Sequence, residues 1–334
     1  MLRYTVRRLI QLVAVVLVLS LLLFGWLRLL PGGPVSALLG ERATEETRRE
    51  LTAQLGLDQP IYVQYVKFLG RALSGDFGTS TGIQPGDSAL EIFLQRFPAT
   101  IELSFFAIVL AVLAGIPLGY VAARRRGTWL DNLGVVGSLV GVAVPVFFLA
   151  FLLKYVFAVK LGWLPDSGRQ AVEATRVTGF FVLDGILTRE WDAAWDAFLH
   201  LILPACALAT IPFAVIFRIT RAAVLDVLDE DYVRTAESKG LTTDVIRRRH
   251  VLRNAMLPVV TTIGLQTGAL LAGAVLTEKV FAFPGLGEAL ALGFERRDYP
   301  VLQLLIIVAA MVYVLVNLVV DLSYALIDPR VRTR

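Results

Sequence analysis

The densest run of charged and hydrogen-bonding side chains lies at 226–264, DVLDEDYVRTAESKGLTTDVIRRRHVLRNAMLPVVTTIG. Its pattern predicts two short helices. The first covers about 230–239 and ends at Gly240, which supplies a left-handed C-terminal cap at no steric cost. Thr242 or Thr243 opens the second, with Asp244 in its first turn, where a negative charge suits the helix dipole. Arg247, Arg248, Arg249, His250 and Arg253 follow, and Pro258 marks the start of the next apolar segment. Val233, Ala236, Val245, Ile246, Val251 and Leu252 give the pair an apolar side, so the run reads as ordered and amphipathic at a membrane face. The chemistry on offer is recognition, not bond breaking. Physical pattern alone leaves two occupants open, an anionic lipid surface or a docked protein.

Sites for catalysis are missing from the rest of the chain. No Gly-x-x-x-x-Gly-Lys-Ser/Thr loop is present to cradle the phosphates of ATP. Neither His-Glu-x-x-His nor Cys-x-x-Cys occurs. The two histidines, His200 and His250, stand 50 residues apart and do not read as metal ligands. The single cysteine, Cys206, lies inside an apolar block and reads as a small packing residue. The expectation is a chain with no ATPase site, cofactor or metal of its own, and with no nucleic-acid partner.

The elements that must position the 226–264 run are membrane spans. Apolar residues make up 56% of the 334 residues and charged ones 18%, and the apolar excess falls in long blocks. Six blocks are long enough to cross a bilayer: 9–30, 101–123, 133–159, 198–219, 259–280 and 301–327. Placing the N-terminus inside puts 17 Lys and Arg in 62 cytoplasmic positions, against 11 in 125 external ones. The positive-inside bias therefore predicts both termini in the cytoplasm. The first apolar run is longer than a signal peptide's, so it is expected to stay as an uncleaved span. Between spans one and two, residues 31–98 are polar and turn-rich and predict a small external subdomain.

A secondary transporter would carry ionisable groups at mid-membrane for ion coupling. Glu102 and Lys154 fall near outer span ends, where Lys154 can snorkel, and Asp321 lies near an inner end, one turn from Asn317. None marks mid-membrane, which lowers an ion-coupled reading. A static scaffold or insertase is the third alternative. Gly115 with Gly119, Gly137 with Gly141, and Gly264 with Gly268 have the spacing that lets helices approach closely. Pro117 and Pro145 should kink spans two and three.

The stretch Asp231-Tyr232-Val233-Arg234-Thr235-Ala236 through Lys239-Gly240-Leu241, followed by Arg253-Asn254-Ala255-Met256-Leu257-Pro258, resembles the EAA-type coupling loop of ABC importer permeases. Arg234 stands where the name-giving glutamate would be, a departure that resembles the peptide-permease branch. Further matches follow in order along the chain. They are Leu30-Pro31-Gly32-Gly33-Pro34-Val35, Leu55-Gly56-Leu57-Asp58-Gln59-Pro60, Gly75-Asp76-Phe77-Gly78 and Arg96-Phe97-Pro98-Ala99-Thr100. Phe283-Pro284-Gly285-Leu286-Gly287, Arg296-Arg297-Asp298-Tyr299-Pro300 and the terminal Asp328-Pro329-Arg330-Val331-Arg332 complete the set. The extra segment 179–196 resembles dipeptide-permease B subunits rather than shorter relatives.

The resemblance implies an all-α integral membrane fold: six transmembrane helices, a type I (MetI-like) permease core and the external subdomain. It implies a first span at 1–30, the subdomain at 31–98, a permease domain at 99–327 with its coupling loop at 229–258, and a cytoplasmic tail at 328–334. It implies a second, similar permease subunit, one or two ABC ATPase subunits that bind ATP and Mg, an extracytoplasmic peptide-binding protein, and membrane lipid around the whole. Tyr232, Arg234, Thr235, Ala236, Glu237, Lys239 and Gly240 are then expected to dock the ATPase. Thr262, Gln266 and Thr267 in span five are expected to line the translocation path. Dipeptides or short oligopeptides are the implied cargo, with nickel, heme and glutathione importers sharing much of the pattern.

Overall fold

A computed structural model of the chain describes residues 2–29, 44, 46, 49, 52, 53 and 57–327. Residues 31–43 and most of 45–56, within the predicted subdomain, lie outside the described residues, as does the tail 328–334. The side chains of Asn317 and Asp321 lie outside them too. In chain order the helices are α1 (Leu2–Leu29), α2 (Ile61–Leu73), α3 (Ala89–Arg124), α4 (Trp129–Ala143) and α5 (Val146–Leu153), which continues as a π-helical turn, Lys154–Lys160. Then come α6 (Phe181–Leu187), α7 (Trp191–Leu228), α8 (Asp231–Ser238) and α9 (Thr243–Val245), which continues through a π-helical segment, Ile246–Leu252, into α10 (Arg253–Gly273). The last three are α11 (Val275–Val280), α12 (Leu286–Arg296) and α13 (Tyr299–Ile327). The only β-pairing among the described residues is an isolated bridge between Thr79 and Ser88.

Among the described residues, four helices have the length and apolarity to cross a membrane: α3, α7, the run from Thr243 to Leu271, and α13. The pair α4 and α5 makes a fifth if counted as one span, and α1 adds a shorter apolar stretch, Ile10–Trp26. The third predicted span is therefore not straight. Its two halves meet at 101°, and Pro145 is the cause. Proline has no N–H to continue the ladder, and it forces Val144 into an extended conformation, with φ −78° and ψ 124°. Pro117 is different, because α3 runs as a single helix past it. Pro258 does not open the fifth span as the sequence suggested. The backbone stays helical from Thr243 through Pro258 to Gly273, so the second short helix of the 226–264 run and the fifth span are one element, which breaks only at Ala274.

The chain divides into two compact units, residues 1–100 with 284–315, and 101–283 with 316–334. In the first unit, Phe24 of α1 packs on Tyr65 and Phe68 of α2 with ring centroids 5.2 and 5.7 Å away. Ser20 and the Tyr65 hydroxyl share a 2.9 Å hydrogen bond. The turn-rich link between α2 and α3 is pinned by the buried Asp298. Its carboxylate accepts from the Ser80 hydroxyl and from the Gly82 and Ile83 amides at 3.1 and 3.0 Å.

The second unit is organised around α7, which packs against α4, α5, α6, α10 and α11. Its approach to α3 is close, with α7 side chains and, at Gly119, its backbone filling the space that a Cβ on α3 would need. A Cβ on Gly115 would lie 2.9 Å from Ile216, and one on Gly119 would lie 2.7 Å from the Phe217 carbonyl oxygen. Gly115 and Gly119 thus do what their spacing predicts. Gly137 faces open space, so the second predicted glycine pair does not form such a seam. Cys206 is exposed on α7 rather than packed inside, because its neighbours Ala205 and Ala207 take the buried positions.

Candidate docking site

Helix α8 carries the predicted site. Val233 and Ala236, three residues apart, point the same way and are buried. They join Ala123 from α3, Ala223 and Val224 from α7, Ile246 and Val251 from the π-helical segment, and Ala255 from α10 in one apolar cluster. The helix is therefore seated on the ends of three longer helices. Tyr232, Arg234, Thr235, Glu237 and Lys239 are exposed on the other side, with Gly240 at its end. Ala236 departs from the rest of the predicted set: its methyl faces the seat, only 4% exposed.

Two polar residues of the exposed side are partly engaged. Asn254 donates to the Tyr232 hydroxyl at 2.8 Å, tying α8 to α10. The Thr235 hydroxyl donates to the Asp231 carbonyl at 2.8 Å. The end of α8 is a Schellman turn. The Gly240 amide donates to the Glu237 carbonyl at 2.9 Å and the Leu241 amide to the Ala236 carbonyl at 3.3 Å. Gly240 has φ +72°, and an added Cβ would meet nothing within 4 Å. Its requirement for glycine is conformational and not steric. Thr242 stands just before α9, as the sequence suggested, but its side chain forms no cap. Asp244 pairs instead with Arg247 and, at 3.1 Å, with Arg248.

Thr262, Gln266 and Thr267 are half-buried on α10, and Thr262 and Gln266 share a face by their spacing of four. The Thr262 and Thr267 hydroxyls donate to the Pro258 and Ile263 carbonyls, at 2.9 and 2.8 Å. This back-bonding lets a threonine sit in an apolar helix without an orphaned donor.

Sequence reasoning missed the long-range polar ties. Asp131 takes two hydrogen bonds from Arg221, at 2.6 and 2.8 Å, and accepts the Gly127 amide at 2.9 Å. Glu102 does not stand free near a span end. It accepts from Arg169 at 2.6 Å, with both side chains about 5% exposed or less, and its other oxygen accepts the Val182 amide. Arg169 also lies 3.8 Å over the Phe181 ring and donates to the Gly179 carbonyl. Burial pushes its guanidinium below the ordinary value, against the pull of Glu102. Lys154, predicted to snorkel, donates instead to the Val280 carbonyl at 3.1 Å.

Three more carboxylates lace the connection between α5 and α7. Asp196 accepts the Ala171 and Val172 amides, and Glu190 accepts the Thr175 amide and hydroxyl. Asp184 accepts the Thr178 amide and hydroxyl and the Gly179 amide. Burial raises the Asp184 pKa, but these hydrogen bonds outweigh it and hold the carboxyl below its usual value. Glu190 is lowered mainly by the Thr175 amide.

Comparison with known proteins supplies the context. Residues 115–333 match the binding-protein-dependent transport system inner membrane component, and residues 1–104 match the N-terminal region of such membrane components. The dipeptide transport system permease protein of Alkalihalophilus pseudofirmus is 42% identical over 336 residues, covering 99% of this chain and 100% of that one. The di/tripeptide transport system permease protein of Pseudomonas aeruginosa is 44% identical over 335 residues, 99% of each. The glutathione transport system permease protein of Salmonella paratyphi A is 39% identical over 332 residues, again 99% of each. With two matched regions that take in nearly every residue, the chain belongs to the family of binding-protein-dependent transport system inner membrane components, as an ABC importer permease.

Proposed function

We propose that this permease moves dipeptides or short oligopeptides into the cytoplasm by alternating access, driven by a separate ATPase that docks on α8. The observation that carries the reading is the seat of α8. A short helix held by Val233 and Ala236 on the ends of α3, α7 and α10 passes a push directly to three long helices. Tyr232, Arg234, Thr235, Glu237, Lys239 and the Gly240 turn form the face that meets the ATPase, while Ala236 fixes the helix beneath it. ATP and Mg are bound by the ATPase subunits. ATP binding closes the ATPase pair and favours the outward-open permease, and hydrolysis releases it.

In this reading the chain has six spans with both termini cytoplasmic. Residues 31–98 form an external subdomain, and 99–327 form the permease domain with its coupling loop at 229–258. The assembly contains a second, similar permease subunit, one or two ATPases and an extracytoplasmic peptide-binding protein in a lipid bilayer. Thr262, Gln266 and Thr267 line the path between the two permease subunits. Peptide cargo is supported by relatives above 40% identity that are named for dipeptides or di/tripeptides. The glutathione permease at 39% keeps glutathione, itself a tripeptide, as the second reading.

The test is reconstitution of the whole complex with Gly240→Val in α8's terminal turn. Peptide uptake should fall at least tenfold while the subunits still reach the membrane. Full uptake with normally stimulated ATPase would remove α8 as the docking element. Competition of uptake by unlabelled dipeptide, tripeptide, glutathione, nickel and heme then identifies the cargo, and failure of dipeptide to compete would overturn that assignment.

A further inference from the structure

A second surface is assembled at the turn between α3 and α4. The last helical residue, Arg124, and the next two, Arg125 and Arg126, are all exposed, and none forms an ion pair among the described residues. Asp131, the next acid along the chain, feels the charge of Arg126, but it is buried and hydrogen-bonded to Arg221 and the Gly127 amide. The turn is built rather than loose. The Thr128 amide and hydroxyl both donate to the Arg125 carbonyl, at 3.0 and 2.7 Å, and Gly127 takes φ +78°. Three cations, none held in an ion pair among the described residues, are thus displayed from a fixed backbone.

The next helix fixes their depth. Trp129, Leu133, Val136 and Val140 recur at spacings of four, three and four, so they lie on one face of α4, and all four are exposed. Trp129 is the outermost, 70% exposed at the first residue of α4. A membrane helix with an exposed apolar stripe turns that stripe to hydrocarbon, and tryptophan at its end sits at headgroup level. The arginines directly precede the tryptophan, so they stand where lipid phosphates lie.

We propose that Arg124, Arg125, Arg126 and Trp129 form a site for the phosphate headgroup of an anionic phospholipid. Guanidinium groups bind phosphate through paired N–H donors, and the indole ring occupies the glycerol level beside it. The site rests on the chain's being a membrane permease and is independent of the cargo. It adjoins α8, since Ala123 beside Arg124 packs against that helix, but it differs in charge: the exposed groups of α8 are mixed in sign (Asp231, Glu237, Arg234, Lys239) and do not select an anion.

The experiment uses the assembled transporter in lipid nanodiscs, with spin-labelled phosphatidylglycerol and phosphatidylcholine as probes. The native complex should hold phosphatidylglycerol in preference, and that preference should weaken as salt is raised. Replacing all three (Arg124→Gln, Arg125→Gln, Arg126→Gln) should lower the preference at least fivefold, the factor that about 1 kcal/mol for a single basic residue at an anionic surface corresponds to. Phosphatidylcholine association should stay the same. The matching triple lysine variant should keep the preference, which separates lost charge from misfolding. An unchanged preference in the glutamine variant overturns the proposal. So does loss of the copurifying ATPase in that variant, which would assign the arginines to protein docking. Failure of the α8 reading leaves this measurement unaffected.

Discussion

The Leu241 amide donates to the Ala236 carbonyl at 3.3 Å across a left-handed Gly240. The donor lies beyond the docking helix, while the acceptor residue's methyl is packed in its seat. The turn therefore links the exposed end of α8 to its buried side. Because open space surrounds Gly240, substitution acts through backbone strain. Gly240→Ala should cost about 1 kcal/mol locally and lower coupled uptake moderately. Gly240→Asn, which tolerates this conformation, should stay close to native, and a β-branched valine should be worst. Transport and ATPase rates measured side by side check the order Asn, Ala, Val.

The Arg169–Glu102 pair is nearly dry. Arg169→Met leaves Glu102 as a buried, unpaired carboxylate and should destabilise the permease by roughly 3–5 kcal/mol. Adding Glu102→Gln should restore part of that loss, because the orphaned charge is gone. Thermal unfolding of the purified complex through a double-mutant cycle reads the coupling. Additive losses would show that the pair does not act as a unit.

Asp184 gives a direction in pH. Its folded pKa lies below the ordinary value, so its stabilising contribution is complete above the unfolded value, about 4, and is lost as pH falls through the depressed folded value. Protection of the 168–190 connection against hydrogen exchange should be flat from about pH 7 to 5 and then fall below about 4. Asp184→Asn should flatten the acid limb.

Asp298 holds three donors at once. Asp298→Ala strands the Ser80 hydroxyl and the Gly82 and Ile83 amides, each at about 1–3 kcal/mol if it stays buried. Ser80→Ala removes one of the three donors and also the acceptor of the Gln84 amide, and should cost less, about 1–2 kcal/mol. Melting temperatures of the two variants, compared in the same detergent, test the ranking.

Local features were readable from the sequence, and distant ones were not. Gly240 as a cap and Pro145 as a breaker follow from the backbone chemistry of single residues, and both are found where expected. The helical pattern put Ala236 on the apolar side while the resemblance put it among the docking residues, and its burial agrees with the pattern. The partners of Asp131, Glu102 and Asp298 lie 90, 67 and 218 residues away, and no periodicity points to them. The continuous helix through Pro258 was hidden for a different reason. Proline signals a first turn and an interior bend equally well in sequence.

The glycine seam between α3 and α7 has a mechanical consequence. At Gly115 the Ile216 side chain, and at Gly119 the Phe217 carbonyl and the Thr220 side chain, fill the space a Cβ would need, so the two helices are locked together as one stiff beam. Ala123 and Ala223, at the same end of that beam, both rest against α8. A force applied to α8 therefore arrives as torque on the pair rather than as separation of its members. One break in this unit's helices lies where α4 meets α5 at Pro145, which makes that joint a place to bend that the seam is not.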